Sequence, residues 1–530
     1  MAGTPFTLPE DYWKSLKINK RDVDFLHTHL FETETPLSAK ELVAVLVEER
    51  IHIEREAVLK KRKSGGKIYL PKEKYTIGNE LIFPGLDWRE GKVTSIRPGM
   101  NPEIGEFEVL AVAMSDGGER LFAAKMAEHG LNVSSEQTED EQFEPRTILQ
   151  DDSLDLEKKL ELAFKADDGL VRIAGRWFSR ALLVDVNVGQ LNLAEAALDM
   201  AGGEPLPTTA LLKDVELPDG VNPKLAEFSL NYALQEDDRF DEVGSAGQVL
   251  WCLLRLEPDE VRTLPSYLRY IPISHERSSL TKEMLVLEAQ LDDELSEGEA
   301  DLSTSEVKED IISLIYPHWR AGTLPVSKHI RSFFPTAYES PRIRFTLVDG
   351  KTGEKIPAWV VRQSRYVYGL SDWFKSQELI PGSLIRIRHG KKAGEVIVEA
   401  QTHRATRDWV RTFIVGADGG LVFALLKQVI TAEFNERMAI VIPDVDSVDR
   451  LWVQSMKSRQ PFEQLVIHVL RELAKLNPQG HVHAQELYAA VNIIRRCPPA
   501  PLLSLLVTHP EFIHVGDLHF RLDESIPREA

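Results

Sequence analysis

Arg342 and Arg344 stand two residues apart in the run Arg342-Ile343-Arg344-Phe345-Thr346-Leu347-Val348. Arg386 and Arg388 repeat the spacing in Ser383-Leu384-Ile385-Arg386-Ile387-Arg388. Side chains alternate along a strand, so each pair projects from one face. Lys391 and Lys392 follow in the turn after Gly390, and Arg362, Arg365, Arg404, Arg407 and Arg411 add charge around them. Trp359, Tyr366, Tyr368, Trp373 and Phe374 are interleaved. Guanidinium forks match phosphate and guanine edges, and aromatic faces accept bases. The chemistry these residues point to is neutralisation of a nucleic-acid backbone. Near the C-terminus Arg495 and Arg496 precede an apolar helix and are further candidates for phosphate contact.

Catalytic patterns are absent. Gly65-Gly66-Lys67 lacks the earlier glycine and the hydroxyl of a phosphate-binding loop. Gly244-Ser245-Ala246-Gly247 follows Val243 where a nucleophile elbow needs glycine. Pro443-Asp444-Val445-Asp446 follows an apolar strand but no acidic-x-Lys pattern comes after it, as metal-dependent nuclease chemistry requires. His481, His483, His509, His514, His519 and Cys497 gather in the last 50 residues at spacings that match no standard zinc site. The expectation is a non-enzyme with no catalytic residue, no metal and no cofactor.

These residues need strands to hold them. The segment Tyr366-Val367-Tyr368-Gly369-Leu370-Ser371-Asp372-Trp373-Phe374, then Leu379-Ile380-Pro381-Gly382-Ser383-Leu384-Ile385-Arg386-Ile387, resembles the pseudobarrel DNA-binding domain of plant transcription factors and some restriction enzymes. Ser383 stands where that family has Asp. The resemblance covers about 70 residues and implies that Trp373 and Leu379 pack a core while the arginines face DNA.

The rest of the chain is mixed. Length predicts three to four domains at about 150 residues each. No run approaches the ~18 apolar residues of a membrane span, and the opening MAGTPFTLPEDYWKSLK has no apolar signal core. Two cysteines, Cys252 and Cys497, build no disulfide framework, so a cytoplasmic location is expected. The net charge of −20 argues against binding DNA through bulk charge, yet it hides asymmetry. Residues 288–310 contain ten Asp or Glu and one Lys, whereas 341–411 contain fourteen Lys or Arg against seven Asp or Glu. The acidic stretch suggests autoinhibition, by competing with phosphate for the basic one.

Helical periodicity predicts helices over 23–30, 39–49 and 51–63, the last carrying Lys60-Lys61-Arg62-Lys63. Short strands separated by Gly91 and Pro98-Gly99 follow. An internal repeat emerges further on. One copy has a helix ending Ala197-Leu198-Asp199-Met200, a turn at Pro205-Leu206, Ala210-Leu211-Leu212, an apolar helix over 230–234, and Phe240-Asp241-Glu242-Val243-Gly244. The other has Val469-Leu470-Arg471-Glu472-Leu473, a turn at Gly480, Ala484-Gln485-Glu486-Leu487-Tyr488, Leu502-Leu503-Ser504-Leu505-Leu506, and Phe512-Ile513-His514-Val515-Gly516. This order resembles the winged-helix unit of the HARE type, found in the RNA polymerase delta subunit, in chromatin proteins and beside restriction endonucleases. Thr35-Pro36-Leu37 and Glu41-Leu42-Val43 match its first half.

The predicted class is α+β and multidomain, with winged-helix-like units and two small β-barrel-like modules. The expected boundaries are a winged-helix-like unit at 1–70, a β-barrel at 71–132, an acidic linker at 133–168 and a second winged-helix-like unit at 169–265. An acidic, partly helical linker at 266–312, the basic pseudobarrel with a trailing αβ segment at 313–455 and a C-terminal winged-helix-like unit at 456–530 follow. The expected function is non-enzymatic nucleic-acid association, transcription-related, with DNA favoured over RNA. Protein partners would dock on the winged-helix units, with no membrane and no small-molecule substrate. The alternative is a protein-interaction scaffold, associated with RNA polymerase, that touches no nucleic acid.

Overall fold

The computed structural model describes residues 12–64, 67–83, 86, 89–100, 106–115, 117–129, 132, 153–218, 220–297, 308–390, 392, 394–416, 419–458, 460–523 and 525, without the side chains of 55 and 57–64. The architecture is α+β with six separate sheets among these residues. The chain divides into two compact units, residues 1–184 with 220–228, and residues 185–219 with 229–530.

In the first unit, helix Lys20–Thr33 starts at a reciprocal cap. The Asn19 side chain accepts from the backbone of Arg21 and Asp22, and the Asp22 carboxylate accepts from Asn19 N–H at 2.9 Å. The two helices predicted over 39–49 and 51–63 are one helix of 26 residues, Ala39–Ser64. No Gly or Pro interrupts it, and Leu42, Val43, Leu46, Val47 and Ile51 keep one buried stripe across the expected break. The helix that packs on this stripe is Ser153–Lys165, which buries Leu156, Leu160 and Phe164. It lies within the segment expected to be an acidic linker or, over 154–164, a charged helix, and it is the helix. Its charges are the solvent face of an amphipathic helix. The hairpin Leu170–Ile173 and Arg176–Ser179 follows and pairs with Leu37–Ser38.

Between those helices lies a five-stranded sheet, Lys67–Ile68, Glu80–Phe83, Arg89–Pro98, Glu108–Met114 and Glu119–Ala124, in sequence order. Its two ends meet, because Lys125 N–H donates to Glu73 O (3.1 Å) and Met126 N–H to Pro71 O (2.8 Å). Tyr69, Phe83, Val93 and Leu110 fill the interior.

The second unit begins with helix Val188–Met200, the two-residue strand Leu206–Pro207 leading into helix Thr208–Leu211, and helix Pro223–Gln235 from Ser229 onward. Strands Phe240–Glu242 and Leu250–Leu253 follow. Residues 462–522 repeat this order with Phe462–Ala474, Val482–His483, Ala484–Ile494, Pro499–Thr508, Phe512–Gly516 and His519–Leu522. In all three three-stranded sheets of this kind the second hairpin strand is central, flanked by the first hairpin strand and by the short strand before the second helix.

Between these two helical sets, seven strands form a curled half-barrel in the order Glu309–Ser313, Leu384–His389, Glu395–Ala400, Arg342–Asp349, Lys355–Val361, Tyr366–Tyr368, Thr323–Pro325. All neighbours are antiparallel except Arg342–Asp349 with Glu395–Ala400. Helices Tyr316–Ala321 and Ser371–Ser376 sit against its core. Trp373 and Leu379 are core residues, and the Trp373 indole donates to Asp349 at 2.6 Å. Strand Glu309–Ser313 and helix Lys282–Leu291, both in the segment expected as a second linker, belong to the fold. The helix buries Met284 and Leu287 in the same core as the C-terminal helices.

A buried ionic cluster ties the loop after that helix to the C-terminal set. Arg496 donates to both oxygens of Asp293 (2.8 and 2.6 Å) and to Glu294 (2.8 Å). The Tyr488 hydroxyl donates to Asp293, and His318 bonds Glu294 at 3.1 Å. The side chains of Arg496 and Asp293 are fully buried.

Candidate nucleic-acid interface

The alternation expected for Arg342–Asp349 and Leu384–His389 is present, with Ile343, Phe345, Leu347, Ile385 and Ile387 inward and the arginines on the outer face. That face is largely occupied from within the chain. Arg342 holds Asp241 at 2.7 Å and approaches Glu257 at 3.2 Å. Arg344 lies over the Trp359 ring (5.4 Å from its centroid) with Glu204 at 3.5 Å, and its backbone N–H donates to Val243 O. Burial pulls the Arg344 guanidinium below its ordinary value, a shift the Glu204 charge only partly offsets. Val243, Cys252, Val261 and Leu268 pack there against Trp359, Val361 and Tyr366. This side of the half-barrel is an internal interface between the hairpin of the preceding helical set and the sheet.

Tyr366 is buried and donates to the Glu260 carbonyl at 2.5 Å. Tyr368 bonds the Glu260 carboxylate at 3.1 Å, and burial together with that charge pushes its phenol up to about 12. Tyr366 offers no free ring face, and Tyr368 is half-buried. Arg386 reaches Gln401 at 3.3 Å, and Arg388 lies 3.6 Å from Glu399, so neighbouring strands answer these two as well. Arg362 and Arg365 are exposed in the turn after Lys355–Val361, each donating to a backbone carbonyl, of Ser340 and Glu294 respectively. Lys392 is exposed, and Lys391 and the side chains of Lys60-Lys61-Arg62-Lys63 lie outside the described residues. Arg495 lies over Phe462, its guanidinium 5.8 Å from the ring centroid. Arg496 is enclosed by Asp293 and Glu294 and has no path to a ligand. The helix after it, Pro499–Thr508, is buried at Pro499, Ala500, Pro501, Leu502, Leu503, Ser504 and Leu506 and has no face to lay in a groove.

Arg404 and Arg407 have a different setting. They start a long two-stranded ribbon, Thr402–Val415 paired with Leu421–Ala432. Val410, Ile430 and Ala432 pack on the half-barrel core, whereas Phe413 and Phe423 pack on the C-terminal core. The cross-strand pairs place Val410 and Ile430 on one face and Phe413 and Phe423 on the other, so the twisted ribbon is buried on opposite faces in its two halves. The face left open beside the half-barrel carries the pairs Arg407 with Val429 and Trp409 with Lys427. Trp409 is 65 % exposed, and Lys427 Nζ stands 5.3 Å from its ring centroid. Arg404, Arg407 and Lys427 have no carboxylate partner among the described residues. An indole in water flanked by unpaired cations can stack a base and neutralise the adjacent phosphates.

Trp409, Lys427 and Val429 were not among the sequence-derived candidates. The period-two run Arg407, Trp409, Arg411 was the available signal, but it does not say which half of a twisted ribbon stays open. Arg411 shows the difference, because it is two residues further on the same face and is already held by Glu486 at 3.0 Å.

The histidines of the C-terminal sheet do meet. The rings of His481 and His483 stand 4.8 and 5.0 Å from that of His519, edge to face. Burial first, then the charges of Arg437 and His519, push His483 down to about 4. Among the described residues no group of three or more His, Cys, Asp or Glu is placed to hold a metal ion, and no helix is long and apolar enough to cross a membrane. Comparison with protein-family models, with characterised proteins and with solved structures gave no match to this chain.

Proposed function

We propose that this chain is a non-enzymatic nucleic-acid-associated protein, with DNA the favoured partner, whose contact surface is the open face of the 402–432 ribbon. The observation that carries this reading is the exposed Trp409 set between Arg407 and Lys427 with no carboxylate answering the cations. Arg404, at the start of the ribbon, extends the positive charge as a secondary contact. The helix–strand–helix–helix–hairpin sets are read as winged-helix units that serve as scaffold and protein-docking modules. The burial of Pro499–Thr508 and of Arg496 favours that role for the C-terminal one.

A second reading has its own support. The far half of the ribbon exposes Ile414, Val422 and Leu426 on its opposite face, which suits a protein partner and a scaffold role without nucleic-acid contact.

The test is binding of the full chain to labelled single-stranded and duplex DNA at two salt concentrations. Stacking contributes about 1–3 kcal/mol per base, so Trp409→Ala is expected to weaken binding about fivefold or more. Arg407→Ala with Lys427→Ala should weaken it and flatten its salt dependence. Binding that is absent, or that survives all three substitutions, rejects the assignment and leaves the scaffold reading in front.

A further inference from the structure

A cleft of about 950 Å³ opens among four segments of the second unit, 264–270, 294–297, 326–331 and 363–365. Its volume is that of a small-molecule site. Lys328, Arg331 and Arg365 all line it. None of the three has a carboxylate partner among the described residues, and Arg365 donates only to the backbone oxygen of Glu294, at 2.9 Å. The Glu294 carboxylate is directed away, to Arg496 and His318, and the second carboxylate of the lining, Glu297, also interacts with Arg277.

A further feature marks the cleft as shaped for a ligand. Arg365 has φ of +54°, a left-handed conformation disfavoured for a side-chain-bearing residue, and Val326 N–H fixes it by donating to Arg365 O at 2.7 Å. Strain at a charged residue held over a cavity is expected where that residue's position matters. Leu264, Leu268 and Tyr270 form an apolar and aromatic part of the lining.

We infer that this cleft binds a small phosphorylated ligand of nucleotide size. Its phosphates lie against Lys328, Arg331 and Arg365, and its ring lies on Tyr270 and the leucines. Three cations face the Glu297 carboxylate in this lining, which leaves an excess of positive charge that a polyanion would offset. The site is independent of the ribbon, so its failure and that of the nucleic-acid reading are separable.

The experiment is calorimetric titration of the full chain with ATP, pyrophosphate and adenosine, and with a 5′-phosphorylated oligonucleotide. ATP and pyrophosphate are expected to bind and adenosine not. Losing a charge-assisted contact weakens binding about tenfold, so Lys328→Ala with Arg331→Ala should reduce ATP affinity by at least that. Arg365→Gly, a residue suited to the left-handed turn, should reduce it severalfold while keeping the parent's hydrogen-exchange protection over 355–368. Trp409→Ala should leave it unchanged. No heat from ATP or pyrophosphate at millimolar concentration, or ATP affinity untouched by either variant, overturns the inference. In the Trp409→Ala chain with Arg407→Ala and Lys427→Ala, oligonucleotide binding that is tighter than that of ATP and is lost with Lys328→Ala and Arg331→Ala overturns it too, by assigning the cleft to a nucleic-acid end.

Discussion

Substituting Arg496 by Ala removes the only cation among the described residues that contacts both Asp293 and Glu294. At an effective dielectric near 20, a unit charge pair about 4 Å apart is worth about 4 kcal/mol, and Arg496 faces two carboxylates. The cost of desolvating the guanidinium offsets part of this, so the expected loss on removing one partner is about 3–5 kcal/mol. The sign of the pH dependence follows from Glu294. Burial acts to raise its carboxyl, but the charges of Arg496 and His318 outweigh burial and hold it well below the usual carboxylate range. A depressed carboxylate contributes stability above its unfolded value of about 4.3 and loses it as the pH falls further. Without Arg496 burial dominates, and the carboxylates are least tolerable when ionised. The defect of Arg496→Ala should therefore be largest near pH 8 and shrink toward pH 5. A chain of several domains does not unfold in one step, so the assay is native-state hydrogen exchange over 484–508 rather than a global melt. Protection there should drop by about two to four orders of magnitude at pH 8. A loss below about 1 kcal/mol, or one equal at pH 5 and pH 8, would refute the electrostatic account.

The junction between the half-barrel and the preceding helical set should respond to pH in the opposite sense. Burial, then the neighbouring Asp241, pushes Glu257 up to about 8 despite Arg342 nearby. A raised carboxyl contributes its stability below its unfolded value, and that stability declines as pH climbs toward 8. Glu257→Gln should thus gain on the parent between pH 5 and pH 8 in exchange protection over 240–253, and a variant that instead loses ground at pH 8 would contradict this. In the same helical set the Asn231 side-chain oxygen accepts from Thr208 Oγ1 (2.5 Å) and from the Trp251 indole (2.8 Å). Asn231→Ala leaves both donors buried without a partner and should lower local stability by about 1–3 kcal/mol. An unchanged fluorescence and exchange profile would argue that water satisfies both donors.

Some of the architecture was legible because the forces behind it are local. Alternation in Arg342–Asp349 needs only a strand with one buried face. The resemblance to the pseudobarrel family implied a core role for Trp373 and Leu379, and both are buried. The order of helices and hairpin was readable in residues 188–253 and 462–522, where each set is nearly continuous in the chain. The first set was not, because its third helix and hairpin lie beyond an inserted five-stranded sheet. The helix Ser153–Lys165 then resembles a charged linker until Ala39–Ser64 is placed against it.

What the sequence determined by itself is periodicity, composition and charge asymmetry. From these followed the α+β class, the strands that bear the arginines and the repeated helical order. Only the tertiary structure decided which charges are free. Arg342 meets Asp241 across 101 positions, and Arg496 meets Asp293 across 203. The acidic segment 288–310 supplies Glu288, Asp293 and Glu294 as buried partners of Arg277, Arg496 and His318. Its residues 298–307 lie outside the described part of the chain. Local pattern places a charge on a face, but whether a counter-charge covers that face depends on contacts made after the chain has folded. Trp409 and Arg407 remain open for the same reason that Arg411 does not, because a twisted ribbon buries one face at one end and the other face at the other.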